Sequence, residues 1–193
     1  MSLAGRIRSS LAAPPAEPPL EGDLPAIRGQ ATIPAAVLIA ITDRPKPGVI
    51  LTVRREHLRT HAGQIAFPGG RVDPGEDSVH AALREAREEL ALDPARVTVA
   101  GSLEAYRTVT GYAVTPVIGI VPPDLSLAPH DEEVADWFEA PLAHLLDPAN
   151  RRLETAVLAG LERRYWQIEW NGRKIWGATA AMIVNLSRRL QWS

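Results

Sequence analysis

Residues 70–92 read GRVDPGEDSVHAALREAREELAL. From Ser78 to Leu90 the apolar residues Val79, Ala82, Leu83, Ala86 and Leu90 recur at helical spacing, which predicts an amphipathic helix over 78–90. Asp77, just before it, is a fitting N-cap. Glu85, Glu88 and Glu89 fall at i, i+3 and i+4, on one face opposite the apolar stripe. Like charges so spaced repel, at a cost of about a few tenths of a kcal/mol per pair in water. Three hard oxygen donors facing one point suit Mg²⁺ or Mn²⁺. Taken alone, the same residues also describe a solvated acidic face partnered by Arg84 and Arg87.

The residues on either side of this helix read as strands and turns. The run ATIPAAVLIAIT (31–42) has the composition of a buried strand, and VILTVRR (49–55) reads as its hairpin partner across the turn DRPKPG. Residues 56–76 are rich in glycine and proline and read mainly as loop. Residues 97–106 and 112–121 read as strands, the second interrupted by Pro116. Asn171-Gly172 marks a hairpin between 163–170 and 173–176, and 178–190 is helical by pattern. Pro14, Pro15, Pro18, Pro19 and Pro25 crowd the N-terminal segment, so 1–30 reads as an arm that wraps or waves and 31–193 as the domain.

Composition narrows the function class. The chain has 193 residues, 46% hydrophobic and 23% charged, with a formal net charge of −2. A single core is affordable at this length. There is no strong basic field for a long nucleic acid. The absence of cysteine excludes disulfides, zinc–thiolate and iron–sulfur sites and a cysteine nucleophile. No apolar run has the length of a membrane span, and the N-terminus lacks the apolar core of a secretory signal, so a cytoplasmic location is expected.

Gly70, Glu76, Arg84-Glu85 and Glu88-Glu89 stand at the intervals of the Nudix box, which this stretch resembles. One position departs: the late glycine of the box is Ala91, and the expectation is a slightly longer helix or a shifted exit. The resemblance implies an α/β/α sandwich with a mixed sheet, in which the box forms loop–helix–loop. It further implies hydrolysis of a nucleoside diphosphate derivative with divalent metal, Mg²⁺ or Mn²⁺. On that reading Glu85, Glu88 and Glu89 ligate metal, and one of them or a loop carboxylate deprotonates the water. Arg84 orients the glutamates. Gly69 is grouped with the metal site, and Glu76 either joins it through water or holds the loop.

The preceding residues, ILTVRREHLRTHAGQIAFPGG (50–70), resemble the signature of the coenzyme A pyrophosphatase branch of Nudix hydrolases. Leu51, Thr52, Arg54, Arg59, Gly63, Phe67, Pro68, Gly69 and Gly70 fall in register. Ile50 and Arg55 depart from it, and Arg55 either widens an anionic pocket or points to solvent. His61 occupies an unspecified place. The resemblance implies that Thr52, Arg54, Arg59, Phe67, Gly69 and Gly70 line the substrate site. The chemistry agrees: arginines bind phosphate by charge-assisted, often bidentate bonds, and glycine amides approach anions closely. Thr110-Gly111-Tyr112 sits where the branch it resembles has a strand and loop near the substrate. Glu133, with Glu132 second, is the candidate for an extra loop carboxylate; a solvated acidic turn is the alternative. The expected partner is a small nucleotide of the coenzyme A class, with another diphosphate such as ADP-ribose as the alternative.

Overall fold

The structure, a computed structural model, describes residues 1–23, 32–55, 63–158 and 161–192. Strand β1 (Ile33–Thr42) lies centrally, parallel to β7 (Tyr112–Val121) from Ile33↔Tyr112 to Thr42↔Val121. On the far side of β7 run β5 (Thr98–Ser102) and β6 (Tyr106–Arg107), both antiparallel to it. Strand β2 (Gly48–Arg54) meets β1 only at Ile41↔Val49 and then diverges, while its outer edge pairs along its length with β8 (Val134–Pro141). Two short strands fill the resulting V. β3 (Ile65–Ala66) pairs with β2 at Thr52 and Val53, and β4 (Gly69–Arg71) pairs with β1 at Ala35–Val37.

Helices cover both faces of this mixed sheet, giving the expected α/β sandwich. α2 (Ser78–Leu90) buries Ala81, Ala82, Ala86 and Leu90 against Ala36, Leu38, Ala40 and Val117. Small residues on both sides let helix and sheet approach closely. Asp77 caps it by accepting from the His80 amide at 2.8 Å. The other face packs against α1 (Leu3–Ala12), α3 (Leu142–Leu146) and α4 (Ala178–Leu190). A second, antiparallel sheet of β9 (Arg151–Leu158), β10 (Leu161–Trp170) and β11 (Arg173–Trp176) adds Ile168 and Ile175 to that core. Asn171 and Gly172 turn β10 into β11 with φ of 50° and 75°, the double positive that a tight hairpin requires.

Two departures from the sequence reading concern helix ends. The N-terminal segment contains α1, which reading by proline content overlooked; Leu3 and Ile7 join the core, and burying Ile7 contributes about 1.5–3 kcal/mol. At the other correction, Ala91 neither lengthens α2 nor shifts its exit. It takes up the left-handed conformation itself, at φ 55° and ψ 27°, and its amide bonds the carbonyls of Ala86 and Arg87. No helix among the described residues is long and apolar enough to cross a membrane.

Candidate active site

The site forms where α2 crosses the V between β1 and β2. The three glutamates of one predicted face have three different surroundings. Glu89 is only 3% exposed. Its Oε2 accepts from the Gly69 amide at 3.2 Å, and its Oε1 lies 3.7 Å from Arg54 Nη1. Burial pushes its pKa up to about 8, against the opposing pull of Arg54 and the Gly69 amide, with the charges of Glu85 and Glu133 adding to the rise. Glu85 is half-buried against Gly70, and burial raises its pKa too, partly offset by Arg84. Glu88, with 59% of its side chain exposed, faces solvent. The face opposite the stripe is therefore a gradient from core to water.

Arg84 ties the acids together. Its Nε and Nη2 bond the two oxygens of Glu76 at 3.1 Å each, while Nη1 reaches Glu85 at 2.9 Å and Glu88 at 3.2 Å. Nη2 also bonds the carbonyl of Arg71 at 2.9 Å. The fork geometry of a guanidinium permits this; an ammonium could not span it. Glu76 accepts from the Asp73 amide as well, so it closes its own loop, and Arg84 draws its pKa down. In this arrangement the arginines hold the carboxylate oxygens, and among the described residues no three acidic or imidazole groups converge on one point.

The glycines are required by close approach. A Cβ on Gly70 would meet the Glu85 carboxylate at 2.3 Å, and one on Gly69 would meet the Ala36 carbonyl at 2.4 Å. The loop after β7 supplies Glu133. Its position is set by main-chain bonds to both neighbours of the V: the Arg55 amide donates to the Glu133 carbonyl at 3.0 Å, and the His130 amide to the Glu89 carbonyl at 2.8 Å. These bonds involve no side chain, and sequence reasoning had no signal for them.

Two signature residues expected at the substrate, Thr52 and Phe67, are buried. Thr52 is buried and its hydroxyl donates to the Ala66 carbonyl at 3.1 Å, joining β2 to β3. Phe67 is buried in the core on the far face of the sheet. Arg55 turns towards Asp131, 3.4 Å away. Arg59 and His61 lie outside the described residues. Arg71 bonds the Tyr112 hydroxyl at 3.0 Å, at the rim beside Arg84.

The NUDIX domain family matches residues 32–159, which span every acidic and glycine position just described. The chain belongs to that family. Relatives carrying the name "Uncharacterized Nudix hydrolase NudL" share 47% identity in Escherichia coli O7:K1 and 48% in Shigella boydii serotype 4. Each is aligned over 81% of this chain and 82% of its own length. Among solved structures, a Nudix hydrolase from M. smegmatis, RenU, superposes with a TM-score of 0.52 at 24% identity, covering 59% of this chain and 73% of its own. That likeness is one of fold. As a Nudix pyrophosphohydrolase, this chain is an enzyme acting on a nucleoside diphosphate derivative, and α2 with its flanking loops is its Nudix box.

Proposed function

We propose that this Nudix hydrolase cleaves the diphosphate of coenzyme A or its thioesters. The products are 4′-phosphopantetheine, free or acylated, and adenosine 3′,5′-bisphosphate. The observation that supports this most is Arg54 beside Glu89, 3.7 Å apart. Arg54 belongs to the coenzyme A pyrophosphatase signature and Glu89 to the Nudix box, and the fold joins the two motifs at one point. Arg54 beside Glu89 and Arg71 beside Arg84 are cations of the kind that bind phosphate, and the Gly69 and Gly70 backbone gives close approach to phosphate oxygens. Arg59, outside the described residues, is proposed to read the 3′-phosphate.

The donor set fits a hard divalent cation, Mg²⁺ or Mn²⁺. Burial drives Glu85 and Glu89 towards their neutral forms, with the charges of Glu88 and Glu133 adding at Glu85 and those of Glu85 and Glu133 at Glu89, a cost that a cation would remove. Glu85, Glu88 and Glu89, whose oxygens are now engaged by Arg84, the Gly69 amide and Arg54, would have to turn together to hold it, with the backbone at Gly69 adjoining. When bound, it would neutralise the diphosphate and acidify a water. Glu76, engaged with Arg84, holds the loop. Arg84 keeps Glu85 and Glu88 oriented. Glu133, whose charge is felt at both Glu85 and Glu89, is the loop carboxylate proposed to accept the water's proton. The water oxygen bonds one phosphorus, the bridging P–O bond breaks, and the other phosphate leaves.

Chromatography of a reaction with coenzyme A and Mg²⁺ tests the reading. Adenosine 3′,5′-bisphosphate and 4′-phosphopantetheine should appear in equal amounts. Intact coenzyme A alongside cleaved ADP-ribose would replace this substrate with another diphosphate.

A further inference from the structure

The family match begins at residue 32, yet residues 1–23 are bound tightly into the fold. After α1, residues 13–23 run as a strap along α4. Asn185 is 2% exposed and is wholly committed to the strap. Its Oδ1 accepts from the Leu20 amide at 2.8 Å and its Nδ2 donates to the Leu20 carbonyl at 2.9 Å. Arg188 pairs with Glu17 at 2.9 Å, and Arg189 Nη1 donates to the Ala13 carbonyl at 2.7 Å.

The strap ends against β6. The Arg107 amide donates to the Glu21 carbonyl and the Asp23 amide to the Arg107 carbonyl, each at 2.9 Å. Gly22 is needed there, because a Cβ would fall 2.5 Å from the Arg107 carbonyl oxygen. Asp23 then uses both carboxylate oxygens. Oδ1 accepts from the buried Tyr106 hydroxyl at 2.5 Å, and Oδ2 from the Val109 amide at 2.9 Å.

Val109 belongs to the turn that begins β7. The turn is closed by Gly111 N–H to the Thr108 carbonyl at 3.1 Å, with Gly111 at φ 88°. Val109, Thr110 and Gly111 are exposed and add little packing. The Gly111 carbonyl accepts from the Ile33 amide at 2.9 Å, and the Val109 amide adds a charge-assisted bond to the anchored Asp23 carboxylate, of a kind roughly twice as strong as a neutral one. Beyond the turn the bonds continue into the site: Tyr112 accepts from Arg71, whose carbonyl accepts from Arg84, which holds Glu85 and Glu88.

We propose that Asp23 is a positioning residue for nucleotide binding: the strap, through its carboxylate, holds the 108–111 turn and thereby the Tyr112–Arg71 wall of the active site. This rests on the site described above and not on coenzyme A as the substrate.

The test uses full-length Asp23→Asn and Tyr106→Phe. Asparagine can still accept from Tyr106, but its second group donates and opposes the Val109 amide. Phenylalanine removes the hydroxyl and leaves the strap in place, a milder change should Asp23→Asn fail to fold. KM and kcat are measured on whichever diphosphate the wild type cleaves, with amide hydrogen exchange over residues 108–112 alongside. Asp23→Asn should accelerate exchange there and raise KM about 10-fold, with kcat within about 3-fold. Tyr106→Phe should act in the same direction, more weakly. Unchanged exchange in both variants overturns the strap's role. Faster exchange with an unchanged KM overturns the turn's role in binding. A wild type that cleaves ADP-ribose and spares coenzyme A defeats the substrate reading only, because the KM comparison then runs on ADP-ribose.

Discussion

Gly70 and Glu85 occupy one space: a Cβ on the glycine would stand 2.3 Å from Glu85 Oε1. The neighbour that must yield is the end of a flexible side chain. Gly70→Ala should therefore keep the fold and displace the carboxylate, lowering turnover by about 100-fold with little change in Tm. Gly69→Ala should do the opposite. Its Cβ would meet main-chain atoms of Ala36 and Val37 at 2.4 and 2.6 Å, which cannot move without shifting β1. Thermal melts and steady-state kinetics on the two variants separate the effects.

Glu89 makes stability depend on pH. Its folded pKa, about 8, stands above the ordinary 4.5. The folded state thus binds more protons than the unfolded one, and metal-free protein should lose stability as pH rises from about 4.5 through about 8. Added Mg²⁺ should restore it increasingly across that window, because the ligand must be ionised. Glu89→Gln should flatten both trends and lower turnover by about two orders of magnitude or more. Tm against pH, in chelator and in Mg²⁺, reads this directly.

Arg84→Lys keeps the charge and loses the fork. A lysine cannot bond both oxygens of Glu76 while reaching Glu85 and Glu88. Turnover should fall about 10-fold to 100-fold, with KM changed less. An unaltered kcat would show that the geometry of these carboxylates does not depend on Arg84.

Ala91 pays for its left-handed backbone with strain that glycine would not have. Ala91→Gly should stabilise the protein by up to about 1 kcal/mol in denaturant titrations, the relief being partly offset by unfolded-state entropy.

What could be read in the sequence follows from where each signal is local. α2 was legible because its cap, its stripe and its end all lie within a few residues, and the Asn171-Gly172 hairpin because two residues specify the turn. α1 was not, since a short helix containing Gly5, Ser9 and Ser10 is held by the burial of Ile7 rather than by propensity. β8 depends on pairing with the distant β2, while β9 pairs with its chain neighbour β10, and nothing in their own residues marks either strongly. In the site, the spacing of Glu85, Glu88 and Glu89 showed a shared face but not how far each sinks. That depends on the divergence of β2 from β1, which admits Glu89 to the V and brings Arg54 to it. Thr52 and Phe67 show the converse: residues of a signature also hold strands in register and fill the core, which their spacing did not reveal.

The central claim is that the site reads coenzyme A, and kcat/KM for coenzyme A against its 3′-dephospho form and ADP-ribose, in Mg²⁺, tests it most directly. The account predicts the highest value for coenzyme A, a loss of about 10-fold or more without the 3′-phosphate, and convergence of the two coenzyme forms in Arg59→Ala. Equal efficiency on coenzyme A and its 3′-dephospho form, or a preference for ADP-ribose, would contradict it.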